Sequence, residues 1–228
     1  MSIWAHPDDE SFLAAGLLAT AVKNGQTVVC VTATKGEAGV QDEARWPRNK
    51  LGEIRAQEMA AAMKLLGITN HHWLDYADGG CVDANTDEAV DKLCVIAQQI
   101  KPDTILTFGP DGWTGHPDHT TMSRWADVLV TTLGKKIAIY HVTHTPEHFE
   151  KYYKKADEQF NFFFNIDQPP LLPKQECDIH YQLPADIKAL KYRALKSMVS
   201  QTERLFLQYD PELLDKAWAV ECFHKAGL

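Results

Sequence analysis

Residues 11–33 read SFLAAGLLATAVKNGQTVVCVTA. Residues 11–24 form a predominantly apolar helix closed by Gly25, which tolerates the left-handed backbone common just past a helix end. Residues 27–33 form a β-branched run with no polar alternation, as expected of a strand buried on both faces. With Ser2-Ile3-Trp4-Ala5 as a preceding strand, the stretch completes a strand-helix-strand unit, and such a unit has its two strands parallel.

The pattern repeats downstream. LGEIRAQEMAAAMKLLG (51–67) places Leu51, Ile54, Met59, Ala62, Met63 and Leu66 on one helical face and ends at Gly67. A short strand HHWLDY follows, then the helix TDEAVDKLCVIAQQI, the strand DTILTF (103–108), a helix from Pro117 to Leu133 and the strand KIAIYHV. This alternation specifies an α/β fold: a Rossmann-like, doubly wound, mostly parallel sheet with helices on both faces. Past residue 143 the period weakens. QFNFFFNI and CDIHYQL read as strands around the turn QPPLLP, and DIKALKYRALKSMV reads as a helix. The expected organisation is one domain over 1–228, with a core at 1–142 and a C-terminal β/α appendage at 143–228 that walls one side of a pocket.

Composition narrows the function. A chain of 228 residues, 45% hydrophobic, fits one ordinary core. Its net charge of -8 disfavours nucleic acid as a partner, because counterion release needs a positive surface. The five cysteines include no CxxC pair, so neither a disulfide framework nor a thiolate zinc site is indicated and a reducing cytoplasm is the expected location. No export signal and no apolar run of membrane-spanning length is visible, so no membrane partner is expected.

The chemistry concentrates in two loops. HPDDE (6–10) lies at the carboxyl end of the first strand, and GPDGWTGHPDHTT (109–121) follows the strand at 103–108. If those strands are neighbours, both loops meet at the switch point where doubly wound sheets bind ligands. The helix dipole offsets only part of the repulsion among Asp8, Asp9 and Glu10, so a cation is expected among them. Two imidazoles and a carboxylate with a fourth position open to water form a recurring catalytic zinc arrangement, and His6, Asp9 and His119 fit it. Asp8 is then free to act as general base, and His116 can stand opposite as a protonated donor to a developing oxyanion.

Ala5-His6-Pro7-Asp8-Asp9-Glu10 and Gly115-His116-Pro117-Asp118-His119 resemble the two signature motifs of the LmbE-like (PIG-L) zinc N-deacetylases. The resemblance implies Zn2+ on His6, Asp9 and His119, Asp8 as base, His116 assisting the tetrahedral intermediate, and Asp118 orienting a neighbour. It implies a small-molecule substrate, an acetylated amino sugar of N-acetylglucosamine type or its glycoside, with Arg55 and Asp78 contacting the sugar. Ser200 and Gln201 resemble the family's closing Ser-Gln, although Met198 and Val199 stand where relatives often carry a His. Only five residues precede His6, so the first strand is short or the start is trimmed.

Plainer readings compete. Arg55 pairs equally well with Glu58 on an exposed helix face, and Asp78 before Gly79-Gly80 is a ready turn former. His141, His144 and His148 straddle a strand end and Pro146, which argues against a second metal cluster. Phe160, Phe162, Phe163 and Phe164 suit a core strand or an oligomer contact, leaving a homo-oligomer open. Arg45, Trp46 and Arg48 in the 34–50 loop either line the substrate entrance or are ordinary surface. A related zinc amidase cleaving a larger conjugate, a metal- or sugar-binding protein without turnover and a non-haem iron oxygenase are the functional alternatives.

Overall fold

The structure is a computed structural model that describes residues 1–134, 136–160, 164–167 and 169–227. Its first half is β1 (Ser2–Trp4), α1 (Asp9–Leu13), α2 (Ala15–Lys23), β2 (Val29–Thr34), α3 (Arg48–Leu66), β3 (Asn70–Tyr76), α4 (Thr86–Ile100), β4 (Thr104–Thr107), α5 (Pro117–Leu133) and β5 (Ala138–Thr143). A short α6 (Pro146–His148) runs through one π turn into α7 (Lys154–Phe160). The chain then adds β6 (Ile179–Gln182), α8 (Ala185–Ser197), α9 (Val199–Gln208), α10 (Pro211–Ala217) and β7 (Val220–Lys225). The seven strands form one sheet in the order β3-β2-β1-β4-β5-β7-β6. β1 to β5 are parallel, and β7 is antiparallel to both of its neighbours. The order reverses between β1 and β4, which brings the HPDDE and GHPDH loops to the same crevice. β2 is buried at every position, as its unbroken apolar character demands. No helix among the described residues is long and apolar enough to cross a membrane.

Three local expectations change. The helix expected over 11–24 is two helices, because Ala14 leaves helical geometry at φ -139 and ψ -2. That break exposes fresh backbone donors deep in the protein, and the amides of Gly16 and Leu17 donate to the Glu221 carboxylate, each at 2.8 Å. Lys191 completes the arrangement with its ammonium 2.8 Å from Glu221, and both side chains are buried. Such an anion at a helix start is favoured by the dipole as well as by the two hydrogen bonds. The expected strand over 159–166 is not formed by its described residues. Gln159 and Phe160 end α7, 165–167 form a bend, and 161–163 lie outside the described residues. The helix prevails because it buries Tyr153 and Ala156 against the core, whereas three adjacent phenylalanines lack strand alternation. β7 is the strand left unread. Val220, Glu221, Cys222 and Phe223 are all buried, so neither face shows a polar alternation.

Removing the anion isolates a buried ammonium and two helix-start donors. Glu221→Ala should therefore lower unfolding free energy by about 3–5 kcal/mol, read from the shift of the urea midpoint. A midpoint close to wild type would show that solvent reaches this spot and replaces the carboxylate.

Candidate functional site: a metal-binding crevice

Asp9 opens α1, and its Oδ2 accepts the amides of Ala5 at 3.1 Å and His6 at 2.8 Å. Its other oxygen is turned toward His119, with Oδ1 3.4 Å from Nε2. His6 Nδ1 lies 3.1 Å from the same His119 nitrogen and 3.7 Å from Asp9 Oδ2. The far sides of both rings are already engaged. His6 Nε2 stands 3.0 Å from Asp78 and 3.3 Å from Asp118, where an N–H donates to carboxylate. His119 Nδ1 lies 3.1 Å from the Gly112 carbonyl and 2.8 Å from the Thr114 hydroxyl. His6 Nδ1 and His119 Nε2 therefore converge at 3.1 Å, a spacing that a proton on His6 bridges and that a shared cation could replace.

The electrostatics point the same way. Burial alone would lower the His6 pKa, but hydrogen bonds to Asp118 and Asp78 and the Asp9 charge push it up to about 10. Burial, reinforced by Asp8 and opposed by His6, pushes Asp9 up to about 7, while burial and the two neighbouring imidazoles hold His119 well below its usual value. The carboxylates around His6 stabilise a positive charge at this spot. Among the described residues, two groupings bring three ligand atoms close to one another: His6 with His116 and His119, and His6 with Asp78 and Asp118. In the second, the distances are those of hydrogen bonds from His6, so the carboxylates orient that ring. In the first, His116 Nδ1 accepts the Asp118 amide, which leaves its Nε2 facing the crevice. The expected set of His6, Asp9 and His119 shares two imidazoles with the first grouping, and Asp9 stands 3.4 Å from His119 and 3.7 Å from His6.

Around this set stand the remaining expected residues. Asp8 caps α1 with φ 110, a conformation costly for a non-glycine residue and one that concentrates at functional sites. Its Oδ2 lies 3.1 Å from the Arg55 guanidinium, and burial raises its pKa against the pull of Arg55 and His6. Arg55 is neither an exposed partner of Glu58 nor primarily open to a ligand. It is 4% exposed and donates to the carbonyls of Pro7 and Gly36 while holding Asp8, and it reaches the crevice only along one edge. Gly36, at φ +65, leaves the room this guanidinium fills. Glu58 instead accepts the Ser200 amide and hydroxyl at 2.8 and 2.6 Å. Asp78 faces His6 and accepts the Ala38 amide at 2.8 Å; burial would raise its pKa, but the His6 hydrogen bond leads the effects that bring it down to about 2. Asp118, fully buried, accepts the amides of Gly79 and Cys81, so the neighbour it orients is His6.

His116 stands at the start of α5 with one ring nitrogen engaged. As the N-cap of α5, its Nδ1 accepts the Asp118 amide at 3.1 Å, which leaves the proton of the neutral ring on Nε2. Burial and the adjacent His6 lower its pKa.

The crevice has a volume of about 350 Å³. Phe12, Leu13, Trp113 and Tyr153 form an apolar wall, and Asn165 and Gln201 bring polar groups from the C-terminal part. Trp113 and Tyr153 escaped the sequence reading, although the DGW turn beside the metal loop was a signal for the first. Trp4 packs edge-on to Phe108, which stacks 4.0 Å from His119 and fixes that ring's plane. His141, His144 and His148 form no metal grouping among the described residues. His144 stacks on His148, whose Nε2 donates to the Ala217 carbonyl.

Comparison with known proteins follows the same lines. The sequence model of the family described as PIG-L, GlcNAc-PI de-N-acetylase, matches residues 1–130. A 1D-myo-inositol 2-acetamido-2-deoxy-alpha-D-glucopyranoside deacetylase of Actinosynnema mirum is 27% identical over 87% of this chain and 81% of its own. The structure of N,N'-diacetylchitobiose deacetylase from Pyrococcus horikoshii superposes with TM-score 0.67 at 21% identity, covering 99% of this chain and 82% of that one. GalB, a 4-carboxy-2-hydroxymuconate hydratase from Pseudomonas putida, superposes with TM-score 0.62 at 17% identity over 100% and 95% of the two chains, so the shared fold does not by itself select the reaction.

Proposed function

Since the chain belongs to the PIG-L (GlcNAc-PI de-N-acetylase) family of N-deacetylases, we propose that it hydrolyses the acetamide of an N-acetylglucosamine-type sugar or glycoside in this crevice. The observation that carries the reading is the convergence of the His6 and His119 ring nitrogens with Asp9, and the strained Asp8 carboxylate beside them. His6, Asp9 and His119 would hold Zn2+, which when bound supplies Lewis acidity toward water and the amide carbonyl. Asp8, kept in place by Arg55, takes a proton from the attacking water and passes it to the departing amine nitrogen, so that water and amide become acetate and amine. His116 donates from Nε2 to the carbonyl oxygen as negative charge develops there. Asp118 and Asp78 hold the His6 ring, and Asp78 with Gln201 also reaches the sugar. The apolar wall excludes water from the reacting centre.

The test is acetate release from a methyl glycoside of N-acetylglucosamine across the pH range. Asp8 must be ionised, so the rate should fall as pH drops through its raised pKa. His116→Ala should lower turnover by roughly 10²–10³, the scale of one lost oxyanion donor. Because His116 acts as a neutral donor, the alkaline side of the profile should keep its shape in that variant. Release of a larger acid from conjugates, with no acetate, would instead identify an amidase of different scope.

A further inference from the structure

The loop that follows β2 lines the crevice with Ala38, Gly39 and Gln41. Its path is set just before those residues. Gly36 adopts φ +65 against the Arg55 guanidinium, which donates to its carbonyl at 2.7 Å. The next residue, Glu37, passes its stem over α3 where Gly52 carries no side chain, and a Cβ added there would stand 3.5 Å from that of Glu37. Glu37 is half-buried and stays out of the crevice lining. Its Oε1 accepts the Asp78 amide at 3.0 Å.

Asp78 returns the contact. Its Oδ2 accepts the Ala38 amide at 2.8 Å, so residues 37–38 and residue 78 are joined by two hydrogen bonds running in opposite directions. Its Oδ1 lies 3.0 Å from His6 Nε2. The other carboxylate on that nitrogen, Asp118, stands 3.3 Å away and is fully buried on α5, where the amides of Gly79 and Cys81 fix it. One ring N–H thus serves two acceptors. The shorter contact is the one whose carboxylate is set by the 36–41 loop.

We propose that Glu37 is a positioning residue for His6, acting through Asp78. By holding the Asp78 backbone against the loop, it places the carboxylate that fixes the His6 ring plane and keeps a proton on Nε2, which leaves Nδ1 as the ring's ligand atom. The proposal rests on His6 being a metal ligand. Because the group that Glu37 receives is a neutral amide, its task needs an acceptor oxygen and not a charge.

The experiment measures the Zn2+ affinity of the metal-free whole chain by competition with a chromophoric chelator, with circular dichroism to confirm folding. Glu37→Met keeps the stem over Gly52 and removes the carboxylate acceptor. It should weaken Zn2+ binding by about tenfold, the low end of the loss typical when a group supporting a metal ligand is removed. Glu37→Gln keeps an acceptor oxygen in the same place and should bind as wild type does. A general loss of stability would lower the melting temperature without separating the two variants in this way. Wild-type affinity in folded Glu37→Met overturns the proposal and leaves the metal assignment standing. A loss in Glu37→Gln as large as that in Glu37→Met also overturns it, because charge rather than the hydrogen bond is then responsible. If Glu37→Met does not fold, Glu37→Ala takes its place in the same comparison. A wild-type chain that takes up no Zn2+ refutes the metal assignment, and this proposal with it.

Discussion

Purified His119→Ala protein should carry far less divalent metal than wild type, which should bind about one equivalent per chain, and its acetate release should fall to background. His119 is the one proposed ligand contributed by the second loop, and its Nε2 approaches both His6 Nδ1 and Asp9 Oδ1. Its loss leaves one imidazole and one carboxylate, too few to hold a zinc-class ion against water. The variant should still fold, because the Phe108 face it vacates lies next to the crevice and a small side chain admits solvent there. Metal analysis after dialysis against a weak chelator, with circular dichroism as the folding control, measures both parts. Full occupancy in a folded variant would remove His119 from the ligand set.

Asp8→Asn should behave in the opposite way, keeping its metal and losing turnover by ~10²–10⁴, the usual range for a general base. Asparagine is the substitution of choice because it tolerates positive φ better than other non-glycine residues, and Asp8 sits at φ 110. Arg55 loses a charged partner but keeps the carbonyls of Pro7 and Gly36, so the loop should hold its shape. Since only chemistry is removed, kcat should carry most of the change and KM little of it. Loss of metal in this variant would require Asp8 and Asp9 to exchange roles.

These two experiments address the part of the molecule that was most legible in the sequence. The parallel core could be read because helix and strand periods alternate without interruption from Ser2 to Thr143, and switch-point topology then places two distant loops together. The residues around His6 were harder to place. Asp78 and Asp118 act on the ring's far nitrogen, a relation created by folding that no local spacing encodes. Arg55 could be read as a surface residue because its burial depends on Gly36 making room from a different loop. Which His116 nitrogen faces the crevice depends on a single hydrogen bond to its own helix start. The aromatic run near 162 misled, since aromatic content raises strand propensity while the lysine-rich residues before it continue a helix. β7 was missed because a strand buried on both faces, with one residue paired to Lys191, shows neither alternation nor a purely apolar run.

The clamp from Glu221 onto the start of α2 also has a consequence in time. Gly16 and its acceptor are 205 residues apart in the chain. At ribosomal rates of about 5–20 residues per second, roughly 10–40 s separate the synthesis of those two groups. Throughout that interval the amides at the start of α2 have no carboxylate, and the short helix bearing Asp9 leads directly into that unfinished junction. The nascent chain can assemble its parallel strands early, but the junction next to the metal ligands closes only after the last strand leaves the exit tunnel. Completion of the crevice around Asp9 should therefore be a late event in synthesis, following the arrival of Glu221.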